Sequence, residues 1–375
     1  MPTPRNQAHV QYQPEQRLAH GNQAMVCALP PPPSAARGLA PAAASAFALA
    51  PDLLAPGDRL VLTVSGDKDI LSGNYVVAAN GTLVVGGDMV IAAQGRPLRA
   101  VQDELRGRLI AQGLVRAIAG NVHLAQAESA GVPVSVEGSV FDPGRVTAGD
   151  RAAEARATTV DHPAAGDFNA GRTLSSALRA AGGIRPDAAA SAVYLIRGDS
   201  YAVLDLRPAL DGGPFIDPQL APGDRIIVPS AGCFQPDLVR PSGVTAPGIR
   251  VYMSNLSRPA ASNASSAIGK ESTSLPYGTR LLQGLVSANC VGGSAMNAGR
   301  QAVLISRNPI DQRSIVIARS VEAMVRNADR DDHDPYLMPG DAIACYDSKA
   351  MALVDALGVI GGLVGPAVVL RGLKK

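Results

Sequence analysis

LAPGDR at Leu54–Arg59 returns letter for letter at Leu220–Arg225, and a near copy, LMPGDA, occupies Leu337–Ala342. A short motif that recurs at long intervals predicts a repeated structural unit. Proline fixes φ for the second position of a turn, glycine accepts positive φ, and aspartate bonds nearby backbone N–H groups. Pro56-Gly57-Asp58, Pro222-Gly223-Asp224 and Pro339-Gly340-Asp341 are therefore read as turns that launch strands. The runs that follow, RLVLTV, RIIVPS and AIACY, have the apolar character of strands. A catalytic role for Asp58, Asp224 and Asp341 would need a paired acid or base beside each, and the sequence places none there.

Working outward from the first copy, NYVVAANGTLVV predicts two strands around a tight Asn80-Gly81 hairpin turn. Behind Pro97, the residues Leu98, Val101, Leu105 and Leu109 keep helical spacing. VHLAQA then closes the unit as a strand, with His123 as a half-exposed structural histidine. The second copy ends a longer pattern. VPVSVEGSVFDPGRV reads as a strand with a turn at Pro143-Gly144, and TLSSALRAAGGI as a short helix capped by Thr173 and ended by Gly182-Gly183. Strands AVYLIR and YAVLDL come next. The third copy repeats that order: LVRPSGVTAPGI as a worn opening strand and turn, a Ser/Asn-rich insertion over 254–274, and TRLLQGLVSANCVGG as the helix with glycines Gly292-Gly293. QAVLISR and LMPGDAIACY complete it.

A chain of 375 residues is long enough for two to four domains. With 39 Gly, 29 Pro, eight Tyr, five Phe and no Trp, its composition is that of a turn-rich globular protein. The formal net charge of +2 is scattered, which argues against a nucleic-acid partner. Cys27, Cys233, Cys290 and Cys345 lie far apart without metal-ligand spacing, so no zinc site or other cofactor is expected. Cys290 and Cys345 are read as two small buried thiols, a disulfide being the alternative. ALPPPPSAARGLAPAAASAFALAP is an Ala/Pro-rich stretch expected to form a disordered arm over 1–51. Met1 to Val26 contains no apolar run of signal-peptide length, and Cys27 in MVCA is only a faint trace of a lipoprotein box.

LAPGDRLVLTV with LSGNYVV, NGTLVV and the following helix resembles the polysaccharide export domain of outer-membrane polysaccharide export proteins, the Wza-type family. VSVEGSVFDPGRV, TLSSALRAAGGI and LAPGDRIIVP resemble the soluble-ligand-binding (SLBB) β-grasp domain of that family, and the third copy a degenerate second one. The resemblance implies an α+β chain with an export domain at 52–129, β-grasp domains at 130–231 and 232–346, and a C-terminal membrane helix at 347–375. It further implies a ring-shaped homo-oligomer in the outer membrane with a periplasmic body. Such a ring conducts capsular polysaccharide or exopolysaccharide, works with an inner-membrane polysaccharide co-polymerase or exporter, and performs no chemistry on its substrate.

Independently of the family, Ala350 to Leu370 carries one charge, Asp355, and as a helix would be about 30 Å long, the thickness of a hydrocarbon core. Gly358, Gly361, Gly362 and Gly365 would allow close helix contacts, and Asp355 would face a lumen or a neighbouring subunit. NADRDDHDPY gathers Asp329, Asp331, Asp332 and Asp334 around His333, but the spacing fails the calcium-loop pattern and reads as a solvated loop. A soluble periplasmic glycan-binding or adaptor protein is the rival reading; the absence of Trp counts against a sugar-stacking face. A polysaccharide-cleaving enzyme would need paired carboxylates in a cleft, for which the sequence gives no support.

Overall fold

The computed structural model describes residues 27–49, 53–67, 70–150, 169–255, 274–288, 290, 300–308, 313–326 and 333–346. It is a mixed α/β protein of several small sheets. Its residues fall into two compact units: Leu29–Ala231 with Ser242–Thr245, and Met1–Ala28 with Gly232–Pro241 and Ala246–Lys375. The predicted membrane segment, including Ala350, Asp355, Gly361, Gly362 and Leu370, lies outside the described residues, as do Gly292 and Gly293. Among the described residues no helix is long and apolar enough to cross a membrane.

The first unit begins with β1 (Ala40–Pro41) and continues through β2 (Arg59–Val64), β3 (Gly73–Val76), β4 (Thr82–Val85) and β5 (Met89–Ala92). Helix α1 (Leu98–Ala111) follows, then β6 (Val122–Glu128). Strand β2 lies between β3 and β6, and β4 pairs with β5. Burial along β2 alternates, and Val101, Leu105 and Leu109 close the core over Leu60, Leu62, Leu83 and Ile91. The Asn80-Gly81 turn forms, with the Gly81 N–H on the Ala78 carbonyl at 2.8 Å and Gly81 at φ +80. The expected hairpin does not: β3 pairs with β2 and β4 with β5, and three residues, 77–79, part the end of β3 from the turn while β4 starts directly after it.

The rest of the unit is β7 (Val132–Gly138), β8 (Gly144–Ala148), α2 (Leu174–Ala180), β9 (Val193–Arg197), β10 (Ser200–Leu204), the single turn α3 (Arg207–Leu210) and β11 (Arg225–Val228). The sheet order is β1-β10-β9-β11-β7-β8, with β11 parallel to β7 and antiparallel to β9. Gly138 has φ +91, and a Cβ there would meet the Val228 carbonyl oxygen at 2.1 Å. Only glycine lets the end of β7 approach β11 so closely.

Residues 27–49 correct the expectation of a disordered arm. Strand β1 adds to the edge of the sheet, parallel to β10, while Ala36, with Ala35 and Leu39 beside it, packs on Tyr194, Ile196 and Ile227. Alanine and proline bury little area each, but here they fill a shallow face already furnished with aromatic and branched side chains.

In the second unit come β12 (Gly248–Arg250), β13 (Tyr252–Asn255), β14 (Ser274–Pro276), α4 (Leu281–Ser287), β15 (Gln301–Arg307), β16 (Ser314–Ser320), α5 (Val321–Arg326) and β17 (Ala342–Tyr346). The sheet order β13-β17-β15-β16 repeats β7-β11-β9-β10, and β17 is again parallel to its first-strand neighbour. Ile226 lies opposite Val136 and Leu195, as Ile343 lies opposite Met253 and Leu304. The register therefore corrects the sequence-based opening. The first strand of this repeat is β13, at the start of the predicted insertion, and not LVRPSGVTAPGI, most of which is irregular. The cysteines are also corrected: Cys27 is bonded to Cys233 and Cys290 to Cys345.

Candidate functional site

The three PGD turns share one construction. The Ala55 N–H donates to Asp58 Oδ2 at 2.8 Å, Ala221 to Asp224 Oδ2 at 2.9 Å, and Met338 to Asp341 Oδ2 at 2.8 Å. In return the aspartate N–H groups reach the carbonyls of Ala55, Ala221 and Met338, each at 3.1 Å. Gly57, Gly223 and Gly340 have φ +90, +89 and +82, as a turn of this type demands. All three carboxylates are buried, so each turn places a charge where it needs compensation.

That compensation differs among the copies. Asp58 Oδ1 accepts the Ala130 N–H at 2.7 Å and Arg172 Nη2 at 2.6 Å, while Arg172 Nε bonds the Ala130 carbonyl. Arg172 immediately precedes Thr173, the cap of α2, so it ties the first turn to the base of β7 and to that helix. Asp224 is held by Arg197 at 2.7 Å, and the Arg197 guanidinium lies 5.3 Å from the Phe47 ring centroid. In the third copy the register puts Ser306 where Arg197 stands, since Ile305 opposes Ala342 as Ile196 opposes Arg225. No cation forms an ion pair with Asp341 among the described residues, and burial pushes its carboxyl up to about 7.

This makes the second unit sensitive to pH. The folded-state pKa of Asp341 exceeds the ordinary carboxylate value of 3.8, so the fold holds the proton more tightly than the unfolded chain does. Stability is expected to fall as pH rises from about 4 through 7. Asp341→Asn, which keeps an acceptor for Met338, should raise stability at pH 8 by on the order of 1–3 kcal/mol and flatten the profile. Thermal melts at pH 5 and pH 8 check this; an unchanged slope in the variant would contradict it.

The repeat extends further than PGD. Asp217-Pro218-Gln219-Leu220 and Asp334-Pro335-Tyr336-Leu337 precede their turns by the same spacing. Asp217 Oδ1 accepts the Ser175 N–H at 3.0 Å, and Asp334 Oδ1 accepts the Leu282 N–H at 2.8 Å. Leu174 and Leu281 donate to the Pro218 and Pro335 carbonyls. Each helix is thus capped at its second residue by the segment leading into the last strand. Asp334→Ala is expected to cost about 1 kcal/mol, read as earlier melting of the second unit. The full spacing, DPxLxPGD, was available in the sequence and would have identified these caps.

At the other helix end, Gly182 and Gly183 have φ +76 and +86, and the Gly183 N–H returns to the Leu178 carbonyl at 2.8 Å. The equivalent bond in the third copy is Cys290 N–H to Leu285 O at 2.8 Å. Cys290, not Gly292-Gly293, therefore ends that helix, which stops at Ser287. Asp334 is a cap rather than part of a cation loop; Asp329, Asp331 and Asp332 lie outside the described residues. His123 is an exposed residue of β6.

Beside α1, a cavity of about 420 Å³ is lined by Leu71, Val85 and Met89, with Asp88 and Gln112 as polar groups. It holds no nucleophile–base pair. No group of three His, Cys, Asp or Glu that could hold a metal ion occurs among the described residues. The arrangement is architectural: buried carboxylates organise turns and helix starts. No family model matches the chain, and no curated protein matches it significantly.

Proposed function

We propose that the chain is a subunit of an outer-membrane polysaccharide export channel, passing capsular polysaccharide or exopolysaccharide through a ring of copies. The observation that carries this reading is the strand order β8-β7-β11-β9-β10, with its crossover helix between β8 and β9 and a parallel central pair. That is the order of a β-grasp domain, and the second unit repeats its last four strands. We read the two repeats as β-grasp-like domains following a small domain built on β2, β6 and α1, the order that the resemblance to the export family implies. The role is conduction: the domains stack as rings, polar faces line a passage for the glycan, and residues 350–370 anchor the ring in the outer membrane. An inner-membrane co-polymerase or exporter supplies the chain of sugar.

The direct test is genetic. Cells lacking this protein are expected to lose surface glycan and retain it in the periplasm, with recovery on return of the wild-type chain. Unaltered surface glycan in the deletion would overturn the reading.

A further inference from the structure

The two repeats present the same outer sheet face, and among the described residues only one of them is covered. In the first unit, Tyr194, Ile196 and Ile227 on that face are 6%, 5% and 8% exposed because Ala35, Ala36 and Leu39 lie over them. Strand β1 also pairs with β10, occupying the sheet edge. In the second unit, Ile305 and Val316 face each other across β15 and β16 as Ile196 and Tyr201 do across β9 and β10. Val303 opposes Ala344 as Tyr194 opposes Ile227. Here, however, Ile305 is 49% and Val316 68% exposed, and Tyr252, in the same row beyond Ala342, is 63% exposed. Among the described residues no strand pairs with the outer edge of β16.

We propose that this face and the β16 edge form a docking site for an extended, Ala/Leu/Pro-rich segment of a second polypeptide, which adds as a strand beside β16. The occupant's chemistry is read from the sister sheet, where Ser34–Pro41 fills the equivalent position with Ala35, Ala36 and Leu39 packed inward and with backbone bonds along the edge. Ala40 donates to Asp199 O at 2.9 Å, and Ala42 to Tyr201 O at 2.8 Å. Charge agrees with this choice. None of Tyr252, Val303, Ile305, Val316, Ala342 and Ala344 is charged, so a segment whose inward side chains are uncharged buries no unpaired charge on the face. A seven-residue strand whose outer edge meets no other strand among the described residues, beside an apolar stripe, is the usual receptor for such strand addition. The inference rests on the repeat geometry alone and is independent of the export reading.

The test uses the full chain and a labelled peptide carrying residues 33–43, the segment that fills the sister site. Saturable binding is expected, with hydrogen-exchange protection of the Ser314–Ser320 amides. Ile305→Asp and Val316→Asp should each weaken it at least about tenfold. Both positions are exposed, so folding is expected to survive and is checked by circular dichroism. Val203→Asp, at an exposed site of the other sheet, should bind as wild type. No saturation at about 1 mM peptide, binding indifferent to Ile305 and Val316, or photo-crosslinks from position 316 to residues 350–370 of the same chain or to β16 of another copy would overturn the proposal.

Discussion

Asp58→Ala is expected to destabilise the first unit by about 3–5 kcal/mol, the usual cost of breaking a buried ion pair from one side. The carboxylate is fully buried and does three things at once. It closes its own turn through Ala55, accepts the Ala130 N–H at the entry to β7, and neutralises Arg172. Alanine would leave Arg172, largely buried, facing an uncompensated site and two backbone donors without acceptors. Asp58→Asn should cost less, because it can still accept from one amide. A double-mutant cycle with Arg172→Ala separates turn from pair: substantial coupling between the two positions is expected, and additive losses would show that Arg172 contributes independently. Denaturant unfolding of the wild type and the three variants is sufficient.

The second large effect concerns Cys290–Cys345, whose sequence separation is 55 residues. Closing a loop of that length removes unfolded-state entropy worth roughly 4 kcal/mol at 25 °C. The bond joins the residue that ends α4 to β17, the strand adjoining both β13 and β15, and thereby fastens helix to sheet. Cys290→Ser with Cys345→Ser should lower the melting temperature of the second unit markedly while the first unit keeps its own. Reduction of the wild type, which also opens Cys27–Cys233, should cause at least that loss. An unchanged melt after complete reduction, verified by thiol titration, would contradict it.

What the sequence revealed and what it hid divide along physical lines. The PGD turns, the Thr173 cap and the Gly182-Gly183 helix end are set by the conformational preferences of residues close in the chain, and each is found where local chemistry put it. Arg172 and Arg197 were not legible as partners of Asp58 and Asp224, because only the fold brings together groups separated by 114 and 27 residues. The arm was missed for the same reason: Ala and Pro look structureless until Tyr194 and Ile196 provide a surface. LVRPSGVTAPGI imitates the opening strand, yet short, polar Tyr252–Asn255 takes that place because pairing with β17, not local pattern, decides strand position there. In the candidate site, the two aspartate caps were visible as a spacing. The exposed stripe of Ile305 and Val316 was not, since alternation alone does not tell which face is covered.

The measurement that most directly tests the channel reading is the mass, in mild detergent, of protein recovered from the outer-membrane fraction, for the full chain and for one ending at Ser348. The account predicts a large ring for the full chain and its loss from the membrane on truncation. The same small, soluble species in both cases would contradict it.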